Sequence, residues 1–231
     1  MPELVRDHGL VLRTQDHAET DRLVSLLAEG RGRVELLVKG ARRLERPFGA
    51  VLDVLNLAEV IYYRRRSGLH LLREATLLQD FPGVRADLAR LEAALLLLRW
   101  AWELVPREVP DPRPFRLTLG FLHALGESPA PPVLLAAYRL RLLSLLGYRP
   151  ALQGCVACGR RESLVWVPER GGLVCRACGG EGPEVPSRIQ RALDGLLRLP
   201  LAALLRLRLP PEDLQEIERL TRAFREVQLA R

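Results

Sequence analysis

Lysine is almost missing from this chain. Of 35 basic residues only Lys39 is a lysine, and the rest are arginine. Because Gly40 follows Lys39, no Walker A loop exists, since that loop needs Lys followed by Ser or Thr. Gly30-x-Gly32 runs on to Glu35, where a dinucleotide fingerprint requires a third glycine. There is no G-x-S-x-G elbow, no H-E-x-x-H and no P-C-x-x-C signature. The four histidines, His8, His17, His70 and His123, are scattered. These absences argue against nucleotide hydrolysis, serine hydrolysis and base deamination. The chain also lacks the basic-then-apolar order of a secretory leader, and its most apolar stretch, residues 93–102, is broken by Arg99. A cytoplasmic protein without a membrane segment is expected.

What is present is a hydrophobic fraction of 48% and a formal net charge of +7 in 231 residues. That composition supports packed cores, and the length suits two compact parts with a small insert. The arginine excess has two readings. Genomic base composition or thermophily produces it without function, whereas the planar guanidinium fork also matches phosphate oxygens. The charge is locally polarised: residues 31–46 hold 6 basic and 2 acidic side chains, and Arg64, Arg65 and Arg66 are consecutive.

The first 80 residues read as β. Short runs at 9–14 and 23–28 precede the glycines of a hairpin turn at 29–32, and residues 33–38 alternate with Val34, Leu36 and Val38 on one face. A basic loop at 40–49 leads to a strand over 51–63, a turn at 65–68 and a strand over 69–78. Five short strands suit an OB-type barrel, although strand count does not separate it from an SH3-like barrel. After Pro82 the period changes. Val84, Leu88, Leu91, Leu95, Leu98 and Trp102 predict one buried helical face. Residues 106–114 break that helix. Helices are then predicted over 115–125, over 133–146 starting near Pro131 and Pro132, over 188–199 with Ser187 as N-cap, and over 212–229.

The four cysteines form Cys155-x2-Cys158-x16-Cys175-x2-Cys178 inside a Gly-rich insert. A two-residue gap lets a tight turn aim two thiolates at one ion, and two such knuckles complete a tetrahedron with bonds of ~2.3 Å. Structural zinc is the expectation, because all four positions are filled by protein. Disulfides do not fit a chain without a leader, a redox dithiol needs only one pair, and spacing alone does not exclude an iron–sulfur cluster.

Glu19-Thr20-Asp21-Arg22-Leu23 after the first strand, Lys39-Gly40-Ala41-Arg42-Arg43 after the third, a helical segment, the four-Cys insert and a closing helical segment together resemble the RecO family of bacterial recombination mediators. The resemblance spans nearly the whole chain. It implies an α+β protein: an N-terminal OB-fold barrel over 1–80, then an all-α domain over 81–231 interrupted by a zinc-ribbon-like module at 153–182. It implies a non-enzymatic, nucleoid-associated DNA repair protein that binds single- and double-stranded DNA and anneals complementary strands. It also implies help in loading RecA onto strands coated by single-strand-binding protein, with RecR as partner. The cysteines mark a zinc-bearing branch, since they are not universal in the family. Candidate DNA contacts are Arg31, Arg33, Lys39, Arg42, Arg43, Arg46, Arg64, Arg65 and Arg66, with Phe48, Tyr62 and Tyr63 as stacking rings. Glu19 and Asp21 are misfits on such a face and are read as capping or salt-bridging the barrel opening, or as facing a protein partner. A metal-dependent nuclease and a protein-binding adaptor are the competing functions.

Overall fold

Strand β1 (Glu3–His17) is long enough to pair on both sides, and that property makes the barrel. Its first half runs antiparallel to β4 (Leu57–Arg64), and its second half to β2 (Asp21–Ala28). The remaining strands are β3 (Gly32–Val38) and β5 (His70–Gln79). The computed structural model describes residues 3–41, 48–66, 69–128 and 131–230. The order β1-β2-β3-β5-β4 closes on itself, with β3 and β5 parallel through Leu36–His70 and Leu37–Leu71. This order selects the OB fold over an SH3-like barrel. The interior is apolar, from Val11, Val24, Leu26, Val34, Leu36, Val38, Val60 and Tyr62.

The sequence pattern placed β1 at 9–14 only, because the flanking residues 3–8 and 15–17 are mostly polar. Between Val11 and Arg13 the register slips, a bulge that lets Leu10, Val11 and Leu12 all bury in succession. The predicted strand over 51–63 begins six residues late. The chain first forms a helical turn, α1 (Phe48–Val51), and the Asn56 side-chain amide donates to the carbonyls of Ala50 and Val51 at 2.8 and 3.2 Å. These bonds fold the chain back before β4 starts.

The chain divides into two compact units, Met1–Glu127 and Ser128–Arg231. In the first, α2 (Pro82–Arg85), α3 (Leu88–Leu104) and α4 (Arg113–Glu127) follow the barrel. Helices α3 and α4 pack on the outside of β2, and α3 also packs on β1. The six-residue face predicted for this region is only partly the buried one: Val84 and Leu98 are buried and Leu91 and Trp102 half-buried, but Leu88 and Leu95 are exposed. Asp87 caps α3 by accepting the Arg90 N–H at 2.9 Å, which separates Val84 from the rest. Ala93, Ala94, Leu97, Leu98, Trp100 and Ala101 are buried, whereas Leu88 and Leu95 are 72% and 44% exposed. The buried face of α3 is thus shared by three alanines with Leu97, Leu98 and Trp100, and it is rotated away from Leu88 and Leu95.

In the second unit α5 (Pro131–Leu145) is buried on nearly every side and packs against α6 (Ser187–Arg198) and α8 (Pro211–Leu229), with α7 (Leu201–Leu204) between the latter two. Ser187 is the first helical residue and not the cap. Pro186 takes the N-cap position, and its side chain makes no hydrogen bond there. A hairpin of β6 (Leu164–Val167) and β7 (Gly172–Cys175) carries the cysteine insert.

The segment after α3 returns to the barrel. The Arg33 N–H donates to the Pro106 carbonyl at 3.2 Å, and the Glu108 N–H donates to the Arg33 carbonyl at 3.0 Å. The approach is so close that a Cβ on Gly32, which has φ of +67°, would lie 2.6 Å from the Val109 carbonyl oxygen. Gly32→Ala is therefore expected to destabilise the protein by on the order of 2–3 kcal/mol, from left-handed backbone strain and the clash together. Urea unfolding of the variant against wild type measures it.

Candidate nucleic-acid interface and metal centre

Two motif segments far apart in sequence meet in the β2–β3 hairpin. The Gly40 N–H donates to Asp21 Oδ1 at 2.8 Å, and Gly40 has φ of +65°. Thr20 Oγ1 reaches the same oxygen at 3.3 Å. The Asp21 carboxylate thus fixes the start of the basic loop after β3, and its place among cations needs no partner outside the chain. Arg22 does not pair with it. That guanidinium faces Asp16 and Asp53 at 3.6 and 3.7 Å. Hairpin register made the Asp21–Gly40 meeting legible: counting back from the turn, Arg22 pairs with Val38, so Asp21 falls opposite Lys39.

The candidate cations separate into distinct groups. Arg42, Arg43 and Arg46 lie outside the described residues. Lys39 is exposed at the end of β3, and Arg65 and Arg66 are exposed after β4. Arg31 and Arg64 converge instead on Glu3, at 3.3 and 3.2 Å, and Arg64 also faces Glu108 at 3.6 Å. Arg33 turns toward α3. Its guanidinium donates to the Trp102 carbonyl at 2.6 Å, and burial with Arg107 nearby lowers its pKa. Arg13, which no sequence motif singles out, stacks on the Trp102 ring with Cζ 4.7 Å from the centroid, and Arg33 contributes a second cation at 5.6 Å. No sequence signal joins positions 13 and 102.

Among the candidate stacking rings, Tyr62 is fully buried in the barrel, stacked on His70 at 5.4 Å. Burial raises its hydroxyl pKa to about 12. Alternation along β4 explains this, since neighbouring side chains face opposite sides and Tyr63 takes the outer one. Tyr63 and Phe48 are half-buried, and Phe48 packs against the barrel core.

The cysteine knuckles are built alike. Gly159 and Gly179, each just after a second cysteine, have φ of +76° and +81°. The Gly159 N–H donates to the Cys155 carbonyl at 2.8 Å, and the Gly180 N–H to the Cys175 carbonyl at 3.2 Å. The four Sγ atoms lie within 4.8 Å of one another, with Cys158 and Cys175 3.6 Å apart. A tetrahedron with ~2.3 Å metal–sulfur bonds has edges of about 3.8 Å, so this donor set fits a thiolate-bound zinc ion. The amide N–H of Cys175, with those of Ala157 and Cys158, points at the Cys155 sulfur and lowers its pKa to about 6. Cys178, sharing hydrogen bonds with the other thiols, is raised to about 12. Four adjacent sulfurs cannot all ionise without a cation. The module is anchored within its own unit: Trp166 Nε1–H donates to the Leu220 carbonyl at 3.1 Å, and the Trp166 ring packs on Phe224.

Asp21→Ala removes the acceptor for the Gly40 N–H. A loss of about 1–2 kcal/mol in urea unfolding is expected, with a smaller loss for Asp21→Asn, which keeps an acceptor oxygen.

Comparison with known proteins covers both halves of the chain. Residues 1–81 match the family described as recombination protein O N terminal, and residues 85–231 match recombination protein O C terminal. A protein of an Anaeromyxobacter species (strain Fw109-5) named DNA repair protein RecO is 35% identical over 240 residues, which is 100% of this chain and 93% of the relative. Proteins of the same name from Pelobacter propionicus and Symbiobacterium thermophilum are 36% and 33% identical. The matches span 76% and 85% of this chain and 72% and 75% of those relatives. With both terminal families matched and identities above 30% over most of each relative's length, this chain belongs to the RecO family of recombination proteins.

Proposed function

We propose that this protein is a non-enzymatic recombination mediator. It binds single- and double-stranded DNA, anneals complementary strands and, together with RecR, helps load RecA onto strands covered by single-strand-binding protein. The observation that carries the reading is the family match over both halves of the chain. The OB barrel supports it, because such barrels hold single strands with cationic loops. Lys39, with Arg42, Arg43 and Arg46 after it, forms one proposed contact, and Arg65 and Arg66 form another. Arg31, Arg33 and Arg64 contribute positive potential while their guanidiniums face protein partners. The barrel over 1–80 is the proposed DNA-binding part, and the helical region 81–231 carries the zinc module at 153–182. The site of action is the nucleoid in the cytoplasm.

The four thiolates are proposed to hold one structural zinc ion. Its contribution is to cross-link the two knuckles, since protein sulfur fills the tetrahedron and leaves no position for water. Elemental analysis of protein purified without chelator should give about one zinc per chain. Cys175→Ser or a strong chelator should lower the thermal stability, because metal binding is coupled to local folding. Iron, or no metal, would refute the zinc assignment.

Annealing of labelled complementary strands, followed together with strand integrity, tests the main reading. Its rate should be the same with and without ATP, and the strands should stay intact. Cleavage would place the protein among nucleases, and an ATP requirement for the isolated protein would contradict the proposal. Replacing Arg42 and Arg43 with Ala should weaken binding to unrelated sequences by a similar factor, because phosphate contacts do not read bases. The salt dependence on a single strand should flatten by roughly 0.7 log units per log unit of salt for each phosphate no longer neutralised. Unchanged affinity and slope would remove this loop from the DNA site.

A further inference from the structure

We propose that His70 is a positioning residue for strand binding: a hydrogen-bond relay from Glu108 through the His70 ring to the Arg65 amide holds the exposed Arg65–Arg66 segment that follows β4. The inference rests on the reading above that these two arginines contact DNA.

The geometry fixes what each ring nitrogen does. His70 is buried, with 5% of its surface exposed, and lies flat on Tyr62 with an interplanar angle of 14°. The Arg65 main-chain N–H reaches His70 Nδ1 at 3.2 Å. An amide N–H can only donate, so Nδ1 accepts and carries no proton. In the neutral ring the proton then sits on Nε2, which faces Glu108 Oε1 at 2.7 Å. A carboxylate can only accept, so both bonds are satisfied by one tautomer and by no other. Glu108 itself is held by the main-chain bond from its N–H to the Arg33 carbonyl and by Arg64 at 3.6 Å. The relay therefore runs from a barrel strand, through a buried ring bonded at both nitrogens, to the backbone of Arg65.

A ring placed only for packing needs no such arrangement. Phenylalanine would stack on Tyr62 without burying two polar nitrogens, and buried polar groups are costly unless paired. Both nitrogens are paired here, and one of the two bonds ends on the segment bearing Arg65 and Arg66. Cations fixed in advance bind a phosphate chain with less ordering cost than cations on a loose turn.

Two substitutions separate the two ends of the relay. His70→Asn keeps an acceptor near the Nδ1 position and loses the reach to Glu108. His70→Gln keeps a donor near the Nε2 position and loses the acceptor for the Arg65 N–H. Both lose the ring, so comparing them cancels the effect of lost stacking. In the full-length protein, His70→Gln should bind a single strand severalfold more weakly than His70→Asn. Its salt dependence should be flatter by roughly 0.7 log units per log unit of salt for each phosphate that Arg65 or Arg66 no longer neutralises. The Arg65 amide, followed by NMR hydrogen exchange, should exchange faster in His70→Gln than in His70→Asn. Arg65→Ala/Arg66→Ala is the reference, and adding His70→Gln to it should cause little further loss.

If Arg65→Ala/Arg66→Ala weakens binding while the Asn and Gln variants bind alike, or if the Gln effect adds in full to the double substitution, the relay does not position the segment. If Arg65→Ala/Arg66→Ala binds as wild type does, the segment is not a DNA contact, and the inference falls together with that part of the reading beneath it.

Discussion

The short pairing between Arg33 and the segment at 106–108 is the constraint on which the first unit depends. Strand β3 meets β5 only through Leu36 and Leu37, which leaves its earlier half without a strand neighbour on that side. Main-chain bonds from Arg33 to Pro106 and Glu108 supply the missing partner. Unpaired strand edges cost hydrogen bonds and invite association with other chains, so this pairing closes a liability as well as a gap. It also sets the end of α3, where the Arg33 guanidinium takes the Trp102 carbonyl. Through Glu108 it reaches His70 and Arg64, and His70 Nδ1 in turn accepts the Arg65 main-chain N–H. Gly32 is the residue that admits this contact, since any side chain there would meet the Val109 carbonyl.

The arginine excess has a structural use that the guanidinium's several donors explain and an ammonium would serve poorly. Arg141 donates to the carbonyls of Leu196 and Leu199, satisfying groups at the C-terminal end of α6. Arg85 reaches the carbonyls of Asp80 and Val54 and the side chain of Asn56. Arg170 and Arg176 brace the cysteine module through the carbonyls of Cys178 and Gly182. A planar fork can hold two acceptors on different segments at once, which a single point charge on a flexible stem does less well. Exposure therefore differs among the described candidate cations: Lys39, Arg65 and Arg66 are exposed, whereas Arg33 is built into the fold.

The cysteine module shows a complementary economy. Its two strands have only four residues each, too few to bury a core alone, and Trp166 ties them to α8. Four thiols converging within one shell repel as anions, so the arrangement is favourable once a dication is present to gather their charge.

The linear sequence by itself determined the elements with strong local signals. The cysteine spacing placed four sulfurs within reach of one ion, alternation in residues 33–38 gave β3, and the paired prolines at 131 and 132 marked the start of α5. Two short motifs, in order with a helical segment and the four-Cys insert, indicated the family, and five short strands suited an OB-type barrel. What depends on contacts between distant residues was decided only by the tertiary structure. The leucine stripe at Leu88 and Leu95 has the right period for a buried face, but α3, packed on β1 and β2, buries Ala93, Ala94, Leu97, Leu98, Trp100 and Ala101 and leaves those two leucines exposed. Arg31, Arg33 and Arg64 look like phosphate ligands in a linear chain and become ion-pair or main-chain partners once Glu3 and Trp102 are brought beside them. Periodicity reports which residues share a face, and a spacing of two cysteines reports a turn. Neither reports which acceptor will lie across from a guanidinium, since that depends on strand register and, for Arg33, on a carbonyl 69 residues away along the chain.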